Sequence, residues 1–229
     1  MKTDMSVIAR VHTDFPTKFG IPRQSGLVDK LPGYIVFEKE YRNPDALAGI
    51  EGFSHLWLIF GFSACPEEKT FRPRVRPPRL GGNAKMGVFA TRSPFRPNPI
   101  GLSSVRLCGV ENDAVFGPVL RIAGADLVDG TPLFDIKPYL PFTDCHPDAK
   151  GGFGEEKAGT RPVEICCGEQ KLSLLPKEKR DILLSVLAED PHAAYQSDPE
   201  RVYGFPVAGC EVRFRAGDGK VYLTDILPL

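Results

Sequence analysis

The sequence predicts a mainly β fold, a barrel or sandwich of about seven short strands, followed by a small α+β unit. Short apolar runs alternate with turn-forming residues between residues 5 and 137, which is typical of such folds. The chain contains 23 Gly and 22 Pro in 229 residues, which disfavours a helix bundle. Helical periodicity is convincing in only one segment, near the C-terminus.

The first region contains most of the predicted strands. They cover residues 5–11, 34–37, 54–62, 86–91, 100–110 and 114–122. A further strand edge lies within 125–141, with a turn at Asp129-Gly130. The segment SHLWLIFGF (54–62) is nearly all apolar, which predicts a strand buried on both faces. Before it, NPDALAGIEGF predicts a short helix that begins at Asn43-Pro44-Asp45 and ends at Gly49 or Gly52.

A glycine-rich segment of mixed charge at 148–162 predicts a linker. We therefore expect one domain over residues 1–150 and a small α+β domain over 151–229. In the second domain, PKEKRDILLSVLAEDP predicts a helix with Ile182, Leu183, Val186 and Leu187 on one face. Strands are predicted at 163–166, 201–207, 210–214 and 221–226, and the last two are joined by an AGDG hairpin signal.

Several function classes are disfavoured by the sequence. The six cysteines form no CxxC pair, so a zinc site is not expected, and no metal is assigned. There is no signal peptide and no long apolar stretch, which indicates an intracellular, cytoplasmic protein with reduced thiols. Rossmann, P-loop and nucleophile-elbow motifs are also missing from the sequence.

The charge of the chain is unevenly distributed. Lys plus Arg and Asp plus Glu each total 29, so the formal net charge is zero. Yet residues 71–110 contain no Asp or Glu and eight basic residues, namely Arg72, Arg74, Arg76, Arg79, Lys85, Arg92, Arg96 and Arg106. A local field of one sign indicates an anionic partner, although a solvated basic face is the alternative. In an extended chain Arg72, Arg74 and Arg76 would share one face.

Two loops carry cations that a turn does not need. Pro22-Arg23-Gln24 lies in a loop rich in Gly and Pro, where an Arg fork suits a carboxylate or phosphate and Gln can read a base edge. The loop ATRSPFRPNPIGLS (90–103) contains Arg92 and Arg96, and its prolines lower the entropic cost of ordering it around a ligand. Exposed loops without function are the alternative.

A third cluster contains the carboxylates Asp126, Asp129 and Asp135, beside Lys137. These groups could act as an acceptor, a base or a ribose ligand, and the alternative is a turn with a surface ion pair. A cationic loop system facing carboxylates fits a nucleic-acid or nucleotide partner but identifies no reaction. A non-catalytic RNA-binding barrel and a nucleotide-binding regulator therefore stay open at this point.

Four segments together resemble one family. They are FPTKFGIPRQSGLV, EGFSHLWLIF, RPPRLGGNAKMGVFATRSPFRPNPIGLS and DLVDGTPLFDIKPYLP, and they are similar to the TsaA-like (TrmO) family of tRNA methyltransferases. The resemblance implies a single-sheeted β-barrel, a homodimer, and S-adenosylmethionine as methyl donor. It implies methylation of the exocyclic N6 of threonylcarbamoyladenosine in tRNA, next to the anticodon on its 3′ side.

The resemblance also implies roles for single residues. The implied cofactor contacts are Pro22, Arg23, Gln24, Ser63, Ala64, Arg92, Leu102, Asp126, Leu127, Val128 and Asp129. Members often have His and Gln where this chain has Ser63 and Ala64. Asp126, Asp129 and Asp135 are the predicted catalytic bases, without a choice among them. The predicted tRNA contacts are Arg72, Arg74, Arg76, Arg96, Tyr195 and Arg201.

Overall fold

The computed structural model describes residues 4–63, 65, 70–77, 80, 84–157, 163–191, 198–207 and 209–229. The predicted site residues Ala64 and Tyr195 lie outside them. The chain forms two compact units. The first contains Met1–Pro66 and Asn98–Tyr139, and the second contains Glu67–Pro97 and Leu140–Leu229.

Strands dominate the described chain, as predicted. They are β1 (Ala9–Thr13), β2 (Pro32–Phe37), β3 (His55–Gly61), β4 (Arg74–Val75), β5 (Met86–Gly87), β6 (Ile100–Asp113), β7 (Gly117–Ala123), β8 (Thr131–Pro138), β9 (Glu164–Cys166), β10 (Tyr203–Val207), β11 (Cys210–Gly217) and β12 (Lys220–Pro228). The α-helices are α1 (Pro141–Asp144), α2 (Glu169–Leu172) and α3 (Lys177–Ala188). The mainly β prediction is confirmed.

Six antiparallel strands of the first unit pair in the order β1-β2-β7-β6-β3-β8, and β8 pairs with β1, so the sheet closes on itself. The strand predicted at 86–91 does not join this sheet. Its first two residues form β5, which pairs with β4, and Val88–Ala90 form a 3₁₀ turn. The turn forms because Val88 is buried and its carbonyl accepts hydrogen bonds from both the amide and the hydroxyl of Thr91.

The core of the closed sheet consists of alternate residues from its strands. On β3, Leu56, Leu58 and Phe60 are buried, whereas His55 is exposed and Trp57 is half-buried. The prediction that 54–62 is buried on both faces was therefore wrong. The closed sheet buries only its inner face, and the bulky outer residues of β3 mimic a two-sided core strand in the sequence.

One further local prediction was wrong in this unit. The helix predicted after Asn43 is a pair of short 3₁₀ turns, at Pro44–Leu47 and Ile50–Gly52, separated by Gly49 with φ of 84°. The β6–β7 hairpin is closed by Asp113, whose carboxylate accepts from the amides of Phe116 at 2.8 Å and Val115 at 2.7 Å. These two hydrogen bonds hold the pKa of Asp113 below its ordinary value of 3.8.

The second unit contains a four-stranded sheet in the order β10-β11-β12-β9, with β9 parallel to β12. Helix α3 buries Leu183, Val186 and Leu187, which confirms most of the predicted apolar face. The Val163 amide donates to the Ala188 carbonyl at 3.0 Å and so ties the end of this helix to the start of β9. None of the helices in the described part of the chain is long and apolar enough to span a membrane.

Candidate functional site

Most of the predicted cofactor contacts in the first unit lie at one end of the closed sheet. Because neighbouring strands are antiparallel, the ends of β1, β3 and β7 lie beside the starts of β2, β6 and β8. The register pairs Thr13 with Gly33 and Gly61 with Ile100. The loops 14–31 and 124–130 therefore emerge together with residues 62, 63 and 65, and we call this the loop end of the sheet.

Backbone hydrogen bonds connect loops 14–31 and 124–130. The Gly26 amide donates to the Gly124 carbonyl at 2.9 Å, and the Asp129 amide donates to the Phe15 carbonyl at 2.8 Å. The Thr13 hydroxyl donates to the Leu127 carbonyl at 3.0 Å. Gly124 has φ of 81°, a left-handed conformation that disfavours any side chain. The sequence thus fixes loop 124–130 against loop 14–31.

Residues 62, 63 and 65 lie at the same end. Lys18 Nζ from loop 14–31 is 3.8 Å from Cys65 Sγ. The exposed Ser63 donates its amide to the Gly61 carbonyl at 2.9 Å, which turns the chain as it leaves β3. The topology therefore brings Ser63 to the same end of the sheet as the Pro22-Arg23-Gln24 loop and the Asp126–Asp129 turn.

The Pro22-Arg23-Gln24 loop presents one cation to solvent. Pro22 is buried, Arg23 is exposed and Gln24 is half-buried. The Gln24 side-chain amide donates to the Arg23 carbonyl. Pro22 thus anchors the loop to the protein, and the guanidinium of Arg23 is accessible to an anionic ligand.

Asp126 is held by a residue that the sequence did not single out. The hydroxyl of Ser103 donates to its carboxylate, with Oγ to Oδ1 at 2.6 Å. Ser103 points into the closed sheet and is 3% exposed, whereas its neighbour Leu102 is 51% exposed on the outer face. On either side of Asp126, Ala125 and Leu127 are buried in the core. The half-buried carboxylate therefore has a fixed orientation at the loop end.

Asp129 has different partners. Its Oδ1 is 3.1 Å from the Nδ1 of His12 and accepts from the Thr13 amide at 3.1 Å. His12 lies on β1, 117 residues away along the chain, and both side chains are nearly half exposed. His12 is a second polar residue that sequence reasoning missed, because a period-two pattern places it on the outer face without identifying its partner.

Asp135 lies away from the loop end, within β8. Its carboxylate accepts from the Ile136 amide at 2.9 Å and forms an ion pair with Lys137 at 2.8 Å. It lines an open cavity of about 320 Å³ together with Tyr41, Leu47 and other residues. The three predicted bases thus have separate partners, and no metal-binding group of three or more His, Cys, Asp or Glu occurs among the residues that the structure describes.

Residues 90–97 of the loop predicted at 90–103 lie in the second unit. Thr91 and Ser93 shape it, because their hydroxyls accept from the amides of Ser93 at 3.2 Å and Phe95 at 3.2 Å respectively. Arg96 is half-buried and donates through Nη1 to the Thr91 carbonyl at 3.2 Å, so it braces the loop. Arg92 is exposed. The two arginines therefore differ, since one supports the loop and the other reaches solvent.

The remaining predicted RNA contacts that the structure describes are also in the second unit. Arg72, Arg74 and Arg76 are all exposed, while Val75 between the last two is half-buried. Arg201 is exposed and lies over the Tyr203 ring, 5.4 Å from its centroid. A row of exposed guanidinium groups can contact successive phosphates of a nucleic acid.

Comparison with known proteins identifies relatives over nearly the whole chain. Residues 10–145 match the family model described as the tRNA-methyltransferase O N-terminal domain, and residues 163–229 match the TrmO C-terminal domain. A protein of Escherichia coli K12 named tRNA (adenine(37)-N6)-methyltransferase is 43% identical over 220 residues, which cover 92% of each chain.

A second relative and a solved structure also match nearly the whole chain. A Pseudomonas aeruginosa protein, provisionally named an S-adenosylmethionine-dependent methyltransferase, is 39% identical over 89% of this chain and 88% of its own. The crystal structure of TrmO from Pseudomonas aeruginosa superimposes with a TM-score of 0.77 at 30% identity, and covers 100% of this chain and 98% of the other.

Proposed function

The chain belongs to the tRNA-methyltransferase O family, and from this we propose that it transfers a methyl group from S-adenosylmethionine to N6 of adenine 37 in tRNA. The observation that carries the proposal is the 43% identity, over 92% of both chains, to a relative named for that reaction. We further propose that the adenine carries a threonylcarbamoyl group, as the family resemblance implies. A purely RNA-binding barrel and a nucleotide-binding regulator are not favoured.

The chemistry of the loop end fits the proposed methyl donor. S-adenosylmethionine, when bound, supplies a methyl group activated on a positively charged sulfur. Its ribose hydroxyls and amino group need acceptors, and its carboxylate needs a cation. The loop end presents the carboxylate of Asp126, fixed by Ser103, the carboxylate of Asp129, and the exposed guanidinium of Arg23. We propose that these side chains hold the cofactor.

The proposed cofactor contacts also include Pro22, Gln24, Ser63, Arg92, Leu102, Leu127 and Val128. Ser63 and Val128 would contribute backbone groups. Leu102 would do the same, because its side chain points to the outside of the sheet. The resemblance assigns Arg92 to the same ligand, where a guanidinium would neutralise a carboxylate or polarise a carbonyl. Position 64 lies outside the described residues.

A base must remove a proton from the exocyclic nitrogen, because this nitrogen is urea-like and a poor nucleophile. Asp126 and Asp129 lie on the loop that we propose holds the cofactor, whereas Asp135 lies within β8 and is paired with Lys137. We therefore propose that Asp126 or Asp129 accepts the proton at a carboxylate oxygen. We propose that alignment of the nitrogen with the methyl group is the main source of the rate enhancement.

We propose that tRNA is bound by Arg72, Arg74, Arg76, Arg96 and Arg201, together with Tyr195, which lies outside the described residues. The segment 71–110 has no acidic residue, so nothing within it competes with a phosphate. We also propose that the closed sheet is the single-sheeted barrel of the family, that two copies form a homodimer, and that the enzyme works in the cytoplasm. The proposed domain boundary near residue 150 lies between the two matched family models.

Calorimetric titration with S-adenosylmethionine, with and without a chelator, tests the proposed cofactor site. We expect saturable binding that the chelator leaves unchanged, because carboxylates and guanidinium groups rather than a metal provide the contacts. The variant with Asp126→Asn should bind more weakly, and the matched control Asp135→Asn should bind as the wild type does. Failure of the wild type to bind at millimolar cofactor would contradict the proposal.

A further inference from the structure

Two phenylalanine rings in the second unit are exposed side by side. Phe71 is 59% exposed and Phe89 is 73% exposed. Their centroids are 6.2 Å apart and their planes differ by 25°, so the rings are stacked with an offset. Apolar rings with this exposure contribute little to the core, and much of both ring surfaces remains available for contact.

The backbone fixes where the Phe89 ring points. Strands β4 and β5 pair Arg74 with Gly87, and the Val88 amide donates to the Pro73 carbonyl at 3.0 Å. In the 3₁₀ turn that follows, Val88 turns inward and is 1% exposed, and Phe89 turns outward. Two hydrogen bonds from Thr91 to the Val88 carbonyl hold this turn. A braced turn thus presents Phe89, and Phe71 stacks against it.

The segment that contains both rings is strongly basic, which indicates the class of partner. Both rings lie within the forty residues 71–110 that contain no carboxylate, and the exposed Arg74 and Arg76 follow Phe71 in the chain. An exposed aromatic pair in a segment that also exposes guanidinium groups matches an unpaired nucleotide, whose base stacks on a ring while its phosphate pairs with a cation. An apolar protein partner would not need the cations, and a paired duplex offers no free base face.

We propose that Phe71 and Phe89 form a stacking platform for an unpaired base of the RNA substrate, beside arginines that bind its phosphates. This rests on the proposed function, which makes a tRNA the substrate, and it adds how a single-stranded loop is recognised. Adenine 37 and its neighbours lie in such a loop, because position 37 is next to the anticodon. The platform gains affinity without reading sequence, since every base has a π face.

The test measures binding of a synthetic anticodon stem-loop RNA over a salt series, with a fully paired RNA duplex of equal charge as the second ligand. Phe89→Ala and Phe71→Ala should each weaken stem-loop binding by about 5- to 100-fold, as loss of one base–aromatic stack does. Duplex binding should change by less than about twofold. The slope of log affinity against log salt should stay the same, because no phosphate contact is lost.

Three further variants separate stacking from other effects. Phe89→Tyr should keep wild-type affinity because it keeps a π face, whereas Phe89→Leu should behave like Phe89→Ala. Phe142 is 86% exposed on α1, outside the basic segment, so Phe142→Ala is the matched control and should bind as the wild type does. All variants should unfold at the wild-type Tm, since both platform rings are exposed.

The outcomes separate this proposal from the proposed function. Wild-type stem-loop affinity in Phe89→Ala, or full affinity in Phe89→Leu, would overturn the platform while leaving methyl transfer by the wild type intact. A change in self-association with no change in RNA affinity would assign the rings to a second copy of the chain and overturn it as well. A wild type that transfers no methyl group but loses stem-loop affinity in Phe89→Ala would overturn only the proposed function.

Discussion

Ser103→Ala tests whether the orientation of Asp126 matters for the cofactor. The substitution removes the hydroxyl that donates to Asp126 at 2.6 Å, a length typical of a charge-assisted hydrogen bond. Such a bond contributes about 1.5–3 kcal/mol. Because Asp126 is only half-buried and water can replace part of the contact, we expect a loss near the lower limit, about 1.5 kcal/mol in the free energy of unfolding.

The same change should act on the cofactor. A carboxylate that rotates freely loses part of one charge-assisted contact, so the Kd for S-adenosylmethionine should rise by roughly tenfold. The assay combines urea unfolding, calorimetric titration and steady-state kinetics. A rise in the KM for the cofactor at constant kcat would assign Asp126 to binding, and a fall in kcat would assign it to proton transfer.

Ser104→Ala is the matched control for this variant. Ser104 is the next residue on β6 and is half-buried, and it pairs with Trp57 of the neighbouring strand β3. Its side chain points to the opposite face of the sheet from the inward-facing Ser103. It should leave cofactor affinity within about twofold, as expected for a change away from the ligand. Equal cofactor affinity and equal kcat in wild type, Ser103→Ala and Ser104→Ala would refute the assignment of Asp126 to the site.

Three other predictions concern separate parts of the molecule. Replacing Arg72, Arg74 and Arg76 together with Gln should lower the salt slope of tRNA binding by about 2–3 and leave cofactor affinity within about twofold; an unchanged slope would place the tRNA elsewhere. Arg92→Ala should lower kcat/KM by a factor that corresponds to about 1.5–3 kcal/mol and should leave the Tm unchanged. A variant that unfolds would show that Arg92 is structural. The pKa of Asp113 is lowered in the folded state, so its carboxylate stabilises the hairpin fully at pH values above the ordinary pKa of 3.8. The difference in unfolding free energy between wild type and Asp113→Ala should vanish as the pH falls through the lowered pKa of the folded state. A difference that persists at that low pH would contradict the role of its charge.

Local signals in the sequence predicted most strands but not their environment. Apolar runs and turn residues located β3 and β6 well, because strand formation and strand breaking depend on near neighbours. The strand predicted at 86–91 was wrong after its first two residues. There the burial of Val88 and the hydrogen bond from the Thr91 side chain outweigh strand propensity in a short segment. Burial of β3 was overestimated because Trp57 and Ile59 cover the outer face of the sheet.

The candidate site was only partly predictable. The sequence pointed to Asp126 and Asp129, yet it gave no signal for Ser103 or His12 as their partners. Those pairs connect residues 23 and 117 positions apart, and strand register, which one sequence does not reveal, decides which side chains meet. Arg96 braces its own loop in the structure. That Arg96 binds RNA in addition stays a prediction.

Transfer of a labelled methyl group tests the central proposal most directly. The enzyme is incubated with labelled S-adenosylmethionine and chelator, together with tRNA that carries threonylcarbamoyladenosine at position 37 or the same tRNA with unmodified adenine. We predict label on N6 of residue 37 in the modified tRNA, and little or none in the unmodified one. Label that appears equally in both tRNAs would contradict the proposed substrate, and no label in either at saturating cofactor would contradict the proposed reaction.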